Sequence, residues 1–251
     1  MEKEELMLRQ LTNQHLIRPT DGQKAAGDLC GLQAQYMSNA FHSLRLRSGS
    51  DSGQGLVKSW TIRGTMHVFP ERDLPLFLHK GRSHYLRPCD TMEDDERIGK
   101  ERKRRFAQLV LDSVAEGTGE REALKRRCFA AGMTEGEAES LFNPWGGMLR
   151  ALCEEGKLCY KAQEKKEFMF CPPFEPMEEK EARLALARRY FTFYAPATIR
   201  DAAYFFGTTQ TQVKAWLSEL PVSRTQSGGK TYFYIETGRE YRQEGIPDCI
   251  F

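Results

Sequence analysis

Apolar positions along the chain fall into three successive rounds of helix-like segments closed by a pair of strand-like ones. In residues 3–17, Leu6, Leu8, Leu11, Leu16 and Ile17 stand among polar residues ahead of Pro19 and predict a first helix. Asp21 is placed to cap a short second helix reaching Cys30. After the interruption at Gly31, residues 32–46 read as helical again, and 49–53 (Gly-Ser-Asp-Ser-Gly) form a loop tip. The β-prone runs 57–62 and 65–69, split by Arg63-Gly64, predict a strand pair. Three helices and a strand pair is the order of a winged helix-turn-helix unit.

The order returns twice. Residues 97–116 predict a long linking helix, followed by helices over 121–131, 134–141 with Thr134 as cap, and 145–155. Strands over 157–160 and 168–171 then enclose a charged turn. The third round has helices over 178–192, 198–206 (ended by Gly207) and 209–220. Its strands, 221–225 and 230–236, flank Gln226-Ser227-Gly228-Gly229. The repetition is of architecture, with no residue-level repeat. The expected fold is therefore mainly α with small β-hairpins (α+β), built as tandem winged helix-turn-helix modules. Its modules are 1–90, 91–176 and 177–251, with Pro172-Pro173-Phe174-Glu175-Pro176 as the clearest boundary. The alternative is an α+β domain whose helices merely fall in triplets. Ile246-Pro247-Asp248-Cys249-Ile250-Phe251 ends the sequence on an apolar run, which reads as the interior of a longer chain.

Composition narrows the classes. A 40% hydrophobic and 11% aromatic content over 251 residues supports a packed core and excludes general disorder. No apolar run approaches the roughly 18 residues of a membrane span. Met1-Glu2-Lys3-Glu4-Glu5 is too polar for a secretory signal, so a cytoplasmic protein without membrane partners is expected. A net charge of +2 neither demands nor excludes nucleic acid, so placement of charge has to decide. Arg97, Lys100 and Arg102 to Arg105 form a dense basic run, Lys125 to Arg127 a second, and Arg188-Arg189 a pair. Such runs serve either as solvated helix faces or as a phosphate footprint. The polar start of the last predicted helix, Thr208 to Gln212, is equally open between a cap and a DNA contact. Seven scattered cysteines without a CxxC pair fit a reducing compartment. His67, His79 and His84 have no second ligand cluster, so neither a metal nor another cofactor is expected.

Two short segments carry the chemistry: Gly31-Leu32-Gln33-Ala34-Gln35 and Trp60-Thr61-Ile62-Arg63-Gly64-Thr65-Met66-His67. Gln33 and Gln35 project to one side if the backbone there is extended, and diverge by about 200° if it is helical. Thr65 and His67 alternate to one face of their predicted strand, opposite Met66 and Val68. They are either a substrate contact, with Arg63 beside them, or the polar members of a half-buried strand. Trp60 reads as core, and Tyr36 stays open.

Together the two segments resemble the AlkZ-like family of bacterial winged-helix DNA glycosylases. That family has a Gln-x-Gln catalytic motif near its N-terminus and a downstream Arg-Gly-Thr-apolar-His segment. A sister group, like YcaQ, has Gln-x-Asp, so this chain resembles the Gln-x-Gln side. Tyr194-Ala195-Pro196-Ala197-Thr198 with Phe206-Gly207 also looks like the family's later winged helix. Family members usually continue beyond the last wing.

The resemblance implies a monofunctional glycosylase in DNA repair or genotoxin resistance, located at the bacterial nucleoid. It would hydrolyse N3- or N7-alkylated purines, bulky or interstrand-crosslinked, in double-stranded DNA, without a cofactor. Gln33 and Gln35 would be catalytic, with Arg63, Thr65 and His67 contacting substrate. The chemistry is consistent with neutral side chains. A cationic alkylpurine leaves as a neutral base, so general-acid help is dispensable. A carboxamide can orient water through its C=O and NH₂, although it offers an oxocarbenium-like sugar only a dipole. Two glutamines thus suit labile cationic lesions. The competing class is a non-catalytic winged-helix DNA-binding protein or transcription regulator. It explains the modules but gives no reason for the two segments to sit together, and no dimerisation heptad supports it, so a monomer is expected. A metal-dependent nuclease finds no clustered ligands.

Overall fold

The computed structural model describes residues 1–82 and 85–241, with Arg63 described by its backbone alone. His84 and the apolar end 246–251 lie outside the described residues. Helices α1 (Lys3–Asn13) and α2 (Gly22–Asp28) open the chain, and Asp21 caps α2 by accepting a hydrogen bond from the Lys24 amide at 2.8 Å. The expected helix over 32–46 is corrected. Leu32–Gln33 is a short strand, β1, and the helix α3 spans Met37–Ser48. Cys30 (φ 56°) and Gly31 (φ 81°) are the cause: left-handed backbone at both positions turns the chain out of the helix direction into an extended edge.

Strands β2 (Leu56–Trp60) and β3 (Met66–Pro70) form the first hairpin, with a 3₁₀ turn over Ile62–Gly64 between them. A four-residue helix α4 (Leu74–Phe77) follows, too short and too uniformly apolar to show a period in the sequence. Helices α5 (Lys100–Ala115), α6 (Arg121–Ala130), α7 (Glu135–Leu141) and α8 (Met148–Glu154) make the second group, before strands β4 (Leu158–Lys161) and β5 (Phe168–Phe170). Thr134 and Glu137 form a reciprocal capping box on α7. The last group has α9 (Glu179–Phe193), α10 (Ile199–Phe206), α11 (Gln210–Ser218), β6 (Ser223–Ser227) and β7 (Lys230–Tyr234).

The strands form two antiparallel sheets. One has the order β1-β3-β2-β4-β5, and the other is the β6-β7 hairpin. The first two hairpins are thus one sheet, joined where Val57 pairs with Lys161 and Lys58 with Tyr160. Both faces of β2 and β3 are buried. On one face, Leu32, Leu56 and Val68 pack on α2 and α3, while Trp60, Met66, Tyr160 and Phe168 pack with the α5–α8 core. On the other face, Val57, Phe69 and Cys159 meet α4 and the Ala182 and Leu186 positions of α9. The same helix turns Ala187, Tyr190 and Phe191 into the core of the third group. Arg189 fastens it further, donating to the Gly27 carbonyl at 2.9 Å and to both Asp73 carboxylate oxygens at 2.7 and 2.8 Å. No described helix is long and apolar enough to cross a membrane.

Candidate active site at the edge of the five-stranded sheet

The structure brings the two sequence segments together. Strand β1 pairs with β3 so that Gln33 lies opposite His67 and Leu32 opposite Val68. The Ala34 amide donates to the Met66 carbonyl at 2.8 Å, and continuing that register sets Gln35 opposite Thr65. The next strand extends both rows, with Ser59 opposite His67 and the Thr61 amide donating to the Thr65 carbonyl at 3.0 Å. The rows Gln33–His67–Ser59 and Gln35–Thr65–Thr61 therefore share one sheet face.

Burial follows the alternation. Leu32 and Ala34 are buried, and Gln33 and Gln35 are exposed at the sheet edge. Neither glutamine side chain hydrogen-bonds to another described residue, so both carboxamides are free for an incoming molecule. Gly31 permits this closeness. A Cβ there would sit 3.1 Å from the His67 Cβ, besides requiring a side chain at φ 81°.

Thr65 is half-buried and its hydroxyl donates to the Ile62 carbonyl at 2.9 Å. His67 is only 6% exposed. Its Nδ1 lies 2.7 Å from the Thr61 hydroxyl and 3.2 Å from the Thr65 carbonyl, which fixes the ring plane. Arg63 belongs to the turn between β2 and β3, and its side chain lies outside the described residues. Two neighbours were not singled out by sequence. Thr61, a fully buried hydroxyl, holds His67, and Ser59 beside it has a buried Oγ without a hydrogen-bond partner. Their signal was a pair of hydroxyls two residues apart, Ser59 on β2 and Thr61 just past its end, which local pattern alone ranks as ordinary strand. Tyr36, next to Gln35, is 65% exposed, whereas Trp60 is core.

The basic runs divide by partner. Lys103 is fully buried, its ammonium 2.9 Å from Asp95 and within 3.3 Å of the Pro88, Thr91 and Glu93 carbonyls. Arg97 pairs with Glu139, Arg102 with Glu137, Arg104 with Glu101 and Arg127 with Glu116. The Arg102 guanidinium and the Thr134 capping contacts pull the Glu137 carboxyl down to about 2. Most of the dense run is consequently spent inside the second group. In contrast, Arg200, Arg224 and Lys230 pair with no carboxylate among the described residues, and all three line a groove of about 1040 Å³ in the third group. Thr209 is the α11 cap, accepting from the Gln212 amide at 3.1 Å. Among the described residues, no three His, Cys, Asp or Glu side chains are grouped to hold a metal ion.

The family model described as DNA glycosylase AlkZ-like matches residues 26–244, which include both segments. The curated Interstrand DNA cross-link repair glycosylase of Streptomyces sahachiroi is 25% identical over 245 residues, covering 85% of this chain. The chain spans 64% of that relative's length. The solved Streptomyces sahachiroi DNA glycosylase AlkZ superposes with a TM-score of 0.62 at 19% identity, over 94% of this chain and 70% of that one, a likeness of fold. With a family model spanning most of its length, the chain belongs to the AlkZ-like DNA glycosylase family.

Proposed function

We propose that the protein is a monofunctional DNA glycosylase that hydrolyses the N-glycosidic bond of N3- or N7-alkylated purines, bulky or crosslinking, in duplex DNA. The observation that carries the reading is the pair of exposed, unpartnered carboxamides, Gln33 and Gln35, set on one sheet face beside Thr65 and His67. Alkylation makes the purine cationic, so the electrons of the breaking N9–C1′ bond neutralise the ring and the base departs uncharged. Water adds to C1′ and its proton passes to solvent, since a carboxamide is too weak a base to keep it. Gln35 orients that water, and Gln33, held across from His67, supports the water or the sugar. Arg63, Thr65 and His67 face the lesion or its flanking phosphate. The three groups of helices act as tandem winged-helix modules, 1–90, 91–176 and 177–251, presenting a concave face to DNA. The protein works as a monomer in the bacterial cytoplasm without a cofactor.

The experiment is excision from a duplex carrying one N7-methylguanine, in EDTA, with the abasic product cleaved by mild alkali. The wild type excises the base and Gln35→Ala loses roughly 100-fold or more in single-turnover rate, the scale of removing a group that acts on the transition state. Equal rates in the two proteins would remove Gln35 from the mechanism. Lesion binding without excision by the wild type would leave a winged-helix DNA-binding protein.

A further inference from the structure

A cleft of about 330 Å³ opens at the Thr61 end of the Gln35–Thr65–Thr61 row, against α9 and the third group. Thr61, which holds His67 from one side, lines this cleft on the other, together with Ile62. Phe77, Phe206 and Trp216 give it an aromatic wall. Its two guanidiniums each have a carboxylate partner, Arg82 in Glu154 at 2.9 Å, which Arg150 shares at 3.2 Å, and Arg183 in Glu179 at 2.7 Å. The cleft thus offers a phosphate no guanidinium without a carboxylate partner, and its aromatic wall suits an uncharged ring.

His79 supplies a polar anchor. It is 9% exposed, and its Nδ1 stands 2.6 Å from the Lys80 carbonyl. A carbonyl only accepts, so Nδ1 carries the proton and Nε2 remains an acceptor without a partner among the described residues. Burial lowers the imidazole pKa, keeping the ring neutral. Size sets the rest. A cavity of about 150 Å³ holds one benzene ring, so this cleft has room for one ring or two fused rings. Strands lie ~4.8 Å apart, which puts Thr61 ~10 Å from the β1 line that carries the glutamines. That is the reach of a substituent extending away from a purine whose sugar faces Gln35.

We infer that this cleft receives an aromatic substituent borne by the alkylated base, making lesions with an appended uncharged ring the preferred substrate class. The inference rests on the glycosylase reading above. Purine N7 carrying a benzyl group is the simplest such lesion, and N7-methylguanine is its ringless counterpart.

The test compares excision of N7-benzylguanine and N7-methylguanine by the wild type and by Arg183→Trp and Ile62→Trp, which fill the cleft. Arg183 is partly exposed on α9, so its variant has the milder demand on folding. The benzyl-to-methyl rate ratio falls about ten-fold or more in both variants, as expected for losing an apolar pocket. An unchanged ratio overturns the inference. Binding separates this from failure of the catalytic reading. By fluorescence anisotropy, Gln35→Ala holds the benzyl duplex at least about five-fold tighter than the methyl duplex, and adding Arg183→Trp removes the preference. If the wild type excises neither lesion while that preference exists and is lost on filling, the cleft stands and the reaction falls. Absence of the preference overturns the cleft.

Discussion

Lys58 is the residue most at odds with its surroundings. It sits in the middle of the sheet, 5% exposed, opposite Val68 and Tyr160, and pairs with no carboxylate among the described residues. Its ammonium lies over the Tyr160 ring, 5.7 Å away. Burial, aided by the Lys166 charge, pushes its pKa down from 10.5 to about 8. Below pH 8 both folded and unfolded forms carry the proton, and the full cost of the buried charge is present. Between about 8 and 10.5 the unfolded chain binds more protons, so stability attributable to Lys58 rises with pH. Lys58→Met is expected to be about 1–3 kcal/mol more stable at pH 7, with the gap to wild type closing through that window. Urea denaturation of both proteins at several pH values measures it, and a pH-independent gap would refute the assignment. At this scale the sequence was only partly legible. Alternation placed Thr65 and His67 opposite Met66 and Val68, but whether Gln33 and Gln35 shared a side depended on backbone dihedrals at Cys30 and Gly31 that no local pattern encodes.

Among the elements, α9 has the widest role, since its first half packs on the five-stranded sheet and its second half on the third group. Arg189 is the polar fastener between them, and its bidentate contact leaves the Asp73 carboxylate 7% exposed but paired. Arg189→Met strands that carboxylate and the Gly27 carbonyl, with an expected loss of about 2 kcal/mol in urea unfolding free energy. A loss below about 0.5 kcal/mol would mean the apolar contacts alone hold α9. Helices and hairpins with good caps were the readable elements. Asp21, Thr134 and Thr209 all cap where the sequence put helix starts. Strand β1 was missed because Leu32-Gln33 owes its form to pairing with residues 67 and 68, distant in the chain. The short α4 was missed because four apolar residues have no period.

Across the whole molecule, charge is distributed differently from what its density along the chain implies. In the run around Arg102, Arg97, Arg102, Lys103 and Arg104 are held in ion pairs, whereas Lys100, Arg105, Lys125 and Arg126 pair with no carboxylate among the described residues, and in the third group the unpaired Arg200, Arg224 and Lys230 share one groove. If that group contacts the DNA backbone, Arg224→Gln with Lys230→Gln lowers the slope of log affinity against log salt by about 2. Arg97→Gln and Arg127→Gln leave it within about 0.5 of wild type. Anisotropy titrations between about 50 and 200 mM salt give these slopes, and the reverse pattern would return the footprint to α5 and α6.

The joining of β2 to β4 has a consequence for how such a protein can diversify. A chain of self-contained winged helices can be rearranged by recombination at its linkers, because each piece brings its own closed hydrogen-bond ladder. Here the strand beside the candidate site finds its outer neighbour more than 90 residues downstream, in the second group. Cutting between the two groups would bare a strand edge on each. The first two groups must therefore be inherited as one cassette, whereas the third, with its own hairpin, can vary without breaking that shared ladder.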